Sequence, residues 1–286
     1  MAISMEPLAG EVTSIAELFR RRVDASGGAE AYRIKRDGRW ASTSWTEFGS
    51  EVTGIASALT DMGIGSGDAV AILGETSPAW CIADLAAIVL GGHSVGIYQT
   101  LLLDQVQFIL EDSRARVLFV QGQAQYERVL PLLGTLPELK ALIVWDYEPP
   151  EHEGVSGFTA CLERGQGQPM PPAEVSSSDV ALIVYTSGTT GQPKGVPLTH
   201  ANLLAHLRSG EAFLPELITT DDITLSFLPM AHVAEHVPGF MGRLNLGLAS
   251  AFASSYDTLL DELREIRPTY FGAVPRIFEK MYGRIR

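Results

Sequence analysis

The sequence predicts an α/β fold of layered, mostly parallel sheets flanked by helices. Two observations point there. Helix-type and strand-type patterns alternate along the 286 residues, the order that builds parallel sheets. The run Ala181-Leu182-Ile183-Val184-Tyr185 lacks polar alternation, as a strand covered on both faces does.

The elements follow in order. Ser14-Ile15-Ala16-Glu17 has the form of a capping box, and it opens a helix with Ile15, Leu18, Phe19 and Val23 on its apolar side. Asp37-Gly38 marks a hairpin turn before Trp40. Thr46 to Met62 forms a second helix, closed by Gly63. Ala69 to Leu73 reads as a strand, and further strands are expected near 94–98, 116–120 and 141–145, with helices between them. Residues 1–145 therefore make a first α/β lobe. Residues 146–178 carry Pro149-Pro150, Pro171-Pro172, several glycines and Ser176-Ser177-Ser178. They read as a connecting segment with one short helix near 157–164. Residues 179–286 form a second lobe: a strand at Val180–Tyr185, then helices near 200–212, 231–241, 257–266 and 275–285.

Composition narrows the function classes. A hydrophobic fraction of 46% is ample for a core. The net charge of −13 argues against an electrostatic nucleic-acid surface, and against a basic patch for anionic membranes. The two cysteines, Cys81 and Cys161, form no Cys-x-x-Cys pair. Without a disulfide framework a reducing, cytoplasmic setting fits best. The N-terminus lacks a basic region followed by an apolar core. The apolar stretch from Cys81 to Val95 is interrupted by Asp84, two glycines and His93, which is too broken for a membrane span. Peripheral membrane contact stays open.

Residues 185–195 read Tyr-Thr-Ser-Gly-Thr-Thr-Gly-Gln-Pro-Lys-Gly. Gly188, Gly191 and Gly195 allow close approach of main chain to a ligand. Successive N–H groups in such a turn make an anion-binding concavity. Thr186, Ser187, Thr189 and Thr190 add hydroxyls, and Lys194 adds a cation for phosphate. This is not the P-loop of GTPases, which needs Gly before the Lys and Ser or Thr after it. Here Pro193 precedes Lys194 and Gly195 follows, and Val196-Pro197-Leu198 looks extended. A flexible linker is the plain alternative, but the anchoring strand and the Pro-Lys-Gly ending speak against it.

This loop resembles the signature of the adenylate-forming superfamily: acyl-CoA synthetases, firefly luciferase and peptide-synthetase adenylation domains. Residues 63–98, with Gly-Asp-Ala-Val-Ala-Ile-Leu-Gly-Glu-Thr-Ser-Pro-Ala-Trp near their start, resemble the early region of long-chain fatty acyl-CoA synthetases. So do Leu-Ser-Phe-Leu-Pro-Met-Ala-His-Val-Ala-Glu-His-Val at 225–237 and Phe-Gly-Ala-Val-Pro-Arg-Ile-Phe-Glu-Lys at 271–280. There are departures. His236 stands where that branch commonly has Arg, Gln99 where many have Pro, and Leu101-Leu102-Leu103 is unusually apolar.

The resemblance implies a partial large N-terminal domain of an adenylate-forming enzyme. A fatty carboxylate would attack the α-phosphorus of ATP, pyrophosphate would leave, and the acyl-AMP would then thioesterify CoA. Mg²⁺ accompanies the ATP. By resemblance, ATP would be held by Thr186, Ser187, Gly188, Thr189, Thr190, Gly191, Lys194 and His232, with Lys194 and His232 catalytic and Thr186 on the metal. The acyl group would meet His232, Glu235, Gly272, Ala273, Val274 and Pro275. The family's adenine-site motif, hinge and C-terminal catalytic lysine have no match, which implies a fragment, a split half or a degenerate relative, with little activity alone.

Two other readings stay open. His232-Val-Ala-Glu235-His236 matches the zinc-peptidase pattern H-x-x-E-H, with Glu262 or Glu265 as third ligand. Pro229 and Pro238 leave it only a short helix. A non-enzymatic chain would bind nucleotide or acyl groups as a pseudoenzyme, or work with a complementary C-terminal chain or as a homodimer. His93, His152, His200 and His206 read as structural or surface residues, and Arg276, Glu279 and Lys280 as a solvated helix face.

Overall fold

The computed structural model describes residues 7–165, 167–170, 174–186, 192–211 and 222–285. The chain begins α1 (Ile15–Ser26), β1 (Glu30–Arg36), β2 (Arg39–Ser44), α2 (Trp45–Asp61), β3 (Ala69–Leu73), α3 (Pro78–Val89) and β4 (His93–Ile97). It continues α4 (Leu103–Asp112), β5 (Ala115–Gln121), α5 (Gly122–Val129), β6 (Ala141–Trp145), β7 (Val155–Gly157) and α6 (Phe158–Arg164). Then come β8 (Val180–Thr186), β9 (Lys194–Thr199), α7 (His200–Glu211), β10 (Ile223–Ser226) and a π-helical stretch (Glu235–Met241). The last elements are α8 (Gly242–Leu246), β11 (Ala249–Phe252), α9 (Leu259–Ile266) and α10 (Pro275–Ile285).

A seven-stranded sheet runs β7-β6-β5-β3-β4-β8-β9 and is parallel except for the β8–β9 pair. Alternate residues of β3 enter different cores. Val70 and Ile72 pack with α1, α2 and α3, while Ala69, Ala71 and Leu73 pack with α4 and α5. Covering both faces is what an unbroken apolar strand requires. A four-stranded sheet, β10-β11-β1-β2, is parallel except for the β1–β2 hairpin. Asp37 and Gly38 close that hairpin with φ of 49° and 75°, the paired positive angles of a type I′ turn.

The helix signals hold with one change of partner. Ser14 Oγ accepts the Glu17 N–H at 3.1 Å, but the Glu17 carboxylate takes the Thr13 N–H at 2.9 Å, so the box at α1 is half formed. The complete box lies at α2, where Ser44 Oγ accepts the Glu47 N–H and the Glu47 carboxylate accepts the Ser44 N–H. Arg22, on α1, is fully buried and donates to the carbonyls of Leu244 and Asn245, which ties α1 to α8.

The lobe boundaries expected at 145 and 179 are not sheet boundaries. Both sheets draw strands from both sides, and the segment 146–178 supplies β7 and α6. Glycines there allow close packing. A Cβ on Gly165 would lie 2.4 Å from Gly54 Cα, so the end of α6 sits directly on α2. Gly165→Ala is expected to cost about 1–3 kcal/mol in urea unfolding. An unchanged midpoint would show that this crossing can give way.

His200 opens α7 fully buried, and its Nδ1 accepts the Ile15 N–H at 3.1 Å, which joins α7 to α1. Burial pushes this imidazole from 6.5 down to about 4. The unfolded chain takes a proton as pH falls through about 6.5, whereas the folded chain holds off until about 4. The folded state therefore keeps this contribution above pH 6.5 and loses it toward pH 4, by roughly 3 kcal/mol. Urea titrations should show a shallower pH slope across this window for His200→Gln than for the parent. Equal slopes would contradict this account.

Candidate active site

Strand order decides where a ligand can enter. After β3 the chain turns to α3 on one face of the sheet; after β4 it turns to α4 on the other. Loops that part in this way leave a crevice at the C-terminal ends of the strands. A cavity of about 220 Å³ lies there, lined by Glu75 and Thr76 after β3, by Tyr98 and Gln99 after β4, and by Phe227 and Ala231. A second cavity of about 450 Å³ lies between the ends of β4 and β8.

The larger cavity gathers part of the expected site. Thr186, Pro193 and His232 line it together with Leu101, Ile109 and Val184. Thr186 ends β8, Lys194 begins β9, and the two residues pair across the antiparallel ladder. Both side chains are exposed. The expected phosphate loop is thus the tip of a hairpin whose stem is formed. Ser187, Gly188, Thr189, Thr190 and Gly191 lie outside the described residues. The stem is tight: a Cβ on Gly195 would meet Ile183 and Tyr185 at 3.0 Å. The Tyr185 hydroxyl donates to Asp112 at 2.6 Å, and burial, then that carboxylate, push the phenol far above its ordinary range. Pro197, which has no N–H to give, sits in the edge strand β9.

His232 stands on a turn that begins at Pro229, with its own N–H on the Pro229 carbonyl at 2.9 Å. It is exposed, and its Nδ1 accepts the Ala234 N–H at 3.1 Å. The turn is clamped by Thr76, whose hydroxyl donates to the Leu228 carbonyl at 2.5 Å and accepts the Met230 N–H at 2.9 Å. It also lies flat on β4, because a Cβ on Gly96 would stand 2.9 Å from Ala231 Cα. Thr76 and Gly96 both fall inside motif stretches, yet nothing local in the sequence marks them as supports.

Glu235 and His236 face inward. The Glu235 carboxylate pairs with Arg243 at 2.8 Å and accepts the Ser226 hydroxyl at 2.6 Å, all three residues being buried. His236 Nε2 lies 3.0 Å from Asp84 Oδ1, and Trp80 meets the imidazole edge-on at 5.0 Å. Glu235, expected among the acyl contacts, is therefore the counter-charge of a buried guanidinium. The zinc-peptidase set is not assembled either. His232, Glu235 and His236 turn to three different surroundings. Glu262 accepts the Ser254 N–H and Glu265 pairs with Lys35. Among the described residues no three His, Cys, Asp or Glu side chains group for a metal. The expected helix near 231–241 is π-helical from Glu235 to Met241, with Pro238 inside it. A proline has no N–H for the α-helical ladder, which favours the wider turn.

Gly272, Ala273, Val274 and Pro275 form an irregular segment leading into α10, and Gly272, Val274 and Pro275 are exposed. They line neither cavity. The preceding Phe271 stacks on Phe227 at 5.4 Å, and Phe227 does line the smaller one.

A sequence profile described as AMP-binding enzyme matches residues 19–284. The chain belongs to the AMP-binding enzyme family. It is 33% identical over 262 residues to the long-chain-fatty-acid–CoA ligase FadD15 of Mycobacterium bovis, covering 88% of this chain and 42% of that protein. It is 29% identical over 296 residues to the long-chain-fatty-acid–CoA ligase ACSBG1 of Rattus norvegicus, covering 99% of this chain and 41% of that protein. In structure it matches the adenylation domain of a carboxylate reductase from Mycobacterium chelonae, with a TM-score of 0.82 and 26% identity, over 98% of this chain and 50% of that one. The chain thus spans about two fifths of the length of these curated relatives. The family and fold expected from the signature loop hold.

Removing one member of a buried ion pair strands the other charge. Glu235→Gln should lower stability by about 3 kcal/mol or more in denaturant unfolding. A loss below about 1 kcal/mol would mean that Arg243 finds another partner.

Proposed function

We propose that this chain is the N-terminal, phosphate-gripping part of an AMP-forming long-chain fatty acid–CoA ligase. The observation that carries the reading is the shared cavity at the ends of β4 and β8, where Thr186, the hairpin stem before Lys194, and His232 meet beside an apolar wall of Leu101, Ile109 and Val184. Its relatives, long-chain-fatty-acid–CoA ligases, support the substrate class.

A fatty carboxylate is ionised at neutral pH, so no base is needed to make the nucleophile. The work of the site is to position two anions and to offset charge on phosphate oxygens. Lys194 supplies a mobile cation from the mouth of the hairpin. With its Nδ1 occupied by the Ala234 N–H, His232 carries its proton on Nε2 and offers a donor. Mg²⁺, bound with ATP, would neutralise phosphate charge; the exposed hydroxyl of Thr186 at the end of β8 is the protein oxygen suited to it. Thioesterification by CoA completes the proposed reaction.

Among the described residues no helix is long and apolar enough to cross a membrane. Both cysteines are free and buried, which supports a cytoplasmic setting.

In a full-length context, Lys194→Ala should reduce palmitate-dependent ATP–pyrophosphate exchange on the order of a hundredfold. The melting temperature should hold, since the side chain is exposed. Unchanged exchange would sink the assignment.

A further inference from the structure

We infer that Asp84 and His236 are a positioning pair for His232, fixing which nitrogen that imidazole presents to the cavity. The inference rests on the reading of His232 as a reaction-site residue. The carbonyl of His232 accepts two backbone N–H groups, from Glu235 at 3.1 Å and from His236 at 3.0 Å. Each donor residue is anchored by its own side chain. Glu235 is held by hydrogen bonds to Arg243 and Ser226, whereas His236 is packed against Asp84, its Nε2 3.0 Å from Oδ1 but outside hydrogen-bond geometry. Asp84 is fully buried on α3, and its Oδ1 accepts the Ser94 hydroxyl from β4. The sheet and α3 therefore hold His236, and His236 holds the His232 peptide.

Pro238 cannot donate to the Ala234 carbonyl, so the α-type bond is absent there and the stretch winds as a π-helix from Glu235 onward. His232 itself is exposed, and among the described residues the Ala234 N–H on Nδ1 is the contact that selects its tautomer. That bond depends on the curvature of the turn, and the curvature depends on where His236 is fixed. The consequence is a proton kept on Nε2 of His232, a donor aimed at anionic reactants. Asp84 and His236 touch no substrate and act only through His232.

The test is imidazole ¹⁵N–¹H NMR of the chain itself at pH 7.5, with His232 assigned by substitution. The parent should show His232 in the Nε2–H tautomer, and a different tautomer would overturn the inference at once. His236→Leu should lose that signature and show tautomer averaging. His236→Gln, which keeps an N–H donor near the Nε2 position, should retain it. If His236→Leu does not fold, Asp84→Leu makes the same comparison. Parent-like His232 signals in a folded His236→Leu or Asp84→Leu protein would overturn the pair's role. This readout needs no turnover, so it stands or falls apart from the ligase reading.

Discussion

β3 has no side to spare for solvent. Its five residues are all buried and divide between two cores, so helices must cover both faces of the central sheet. With both faces covered, the connections after β3 and β4 part to opposite faces, and that parting leaves a crevice at the ends of these strands. Polar loops, the hairpin mouth and the 229–236 turn all collect there. The apolar character of one short strand therefore sets the address of the site before any catalytic residue is considered.

Elements whose signal is local were legible in the sequence. The apolar strands β3 and β6 fall where the sequence places them, because a run without alternation needs no partner to be recognised. Helices α1 and α2 follow from caps and periodicity. What stayed hidden depends on pairing at a distance. β10 and β11 are four residues each, and become strands through their parallel neighbours, β11 directly against β1. β7 is three residues long in a segment whose prolines and glycines suggested a linker. Composition reports local stiffness there, whereas the Gly54–Gly165 contact reports the fold.

The site divides along the same line. Hydroxyls, glycines and a lysine in one short loop suggest phosphate chemistry by residue type alone, and of that stretch the structure describes the flanking stem at Thr186 and Lys194. The supports of His232 come from far along the chain. Thr76 reaches the 228–230 turn across about 150 residues, and Asp84 reaches His236 across a similar span. The motif at 232–236 misleads for a related reason. Its spacing suits three ligands on one regular helix, but Pro238 changes the local winding, and burial of Arg243 and Asp84 claims the two inner side chains.

The two borders of the seven-stranded sheet bear on how the protein coexists with copies of itself. One border is β7, which has only three residues to offer. The other is β9, where Pro197 removes a donor from the outer row. Neither border is a good template for adding a foreign strand. A second copy of the chain therefore finds little free backbone to pair with at either end of this sheet, so growth by strand addition is disfavoured there.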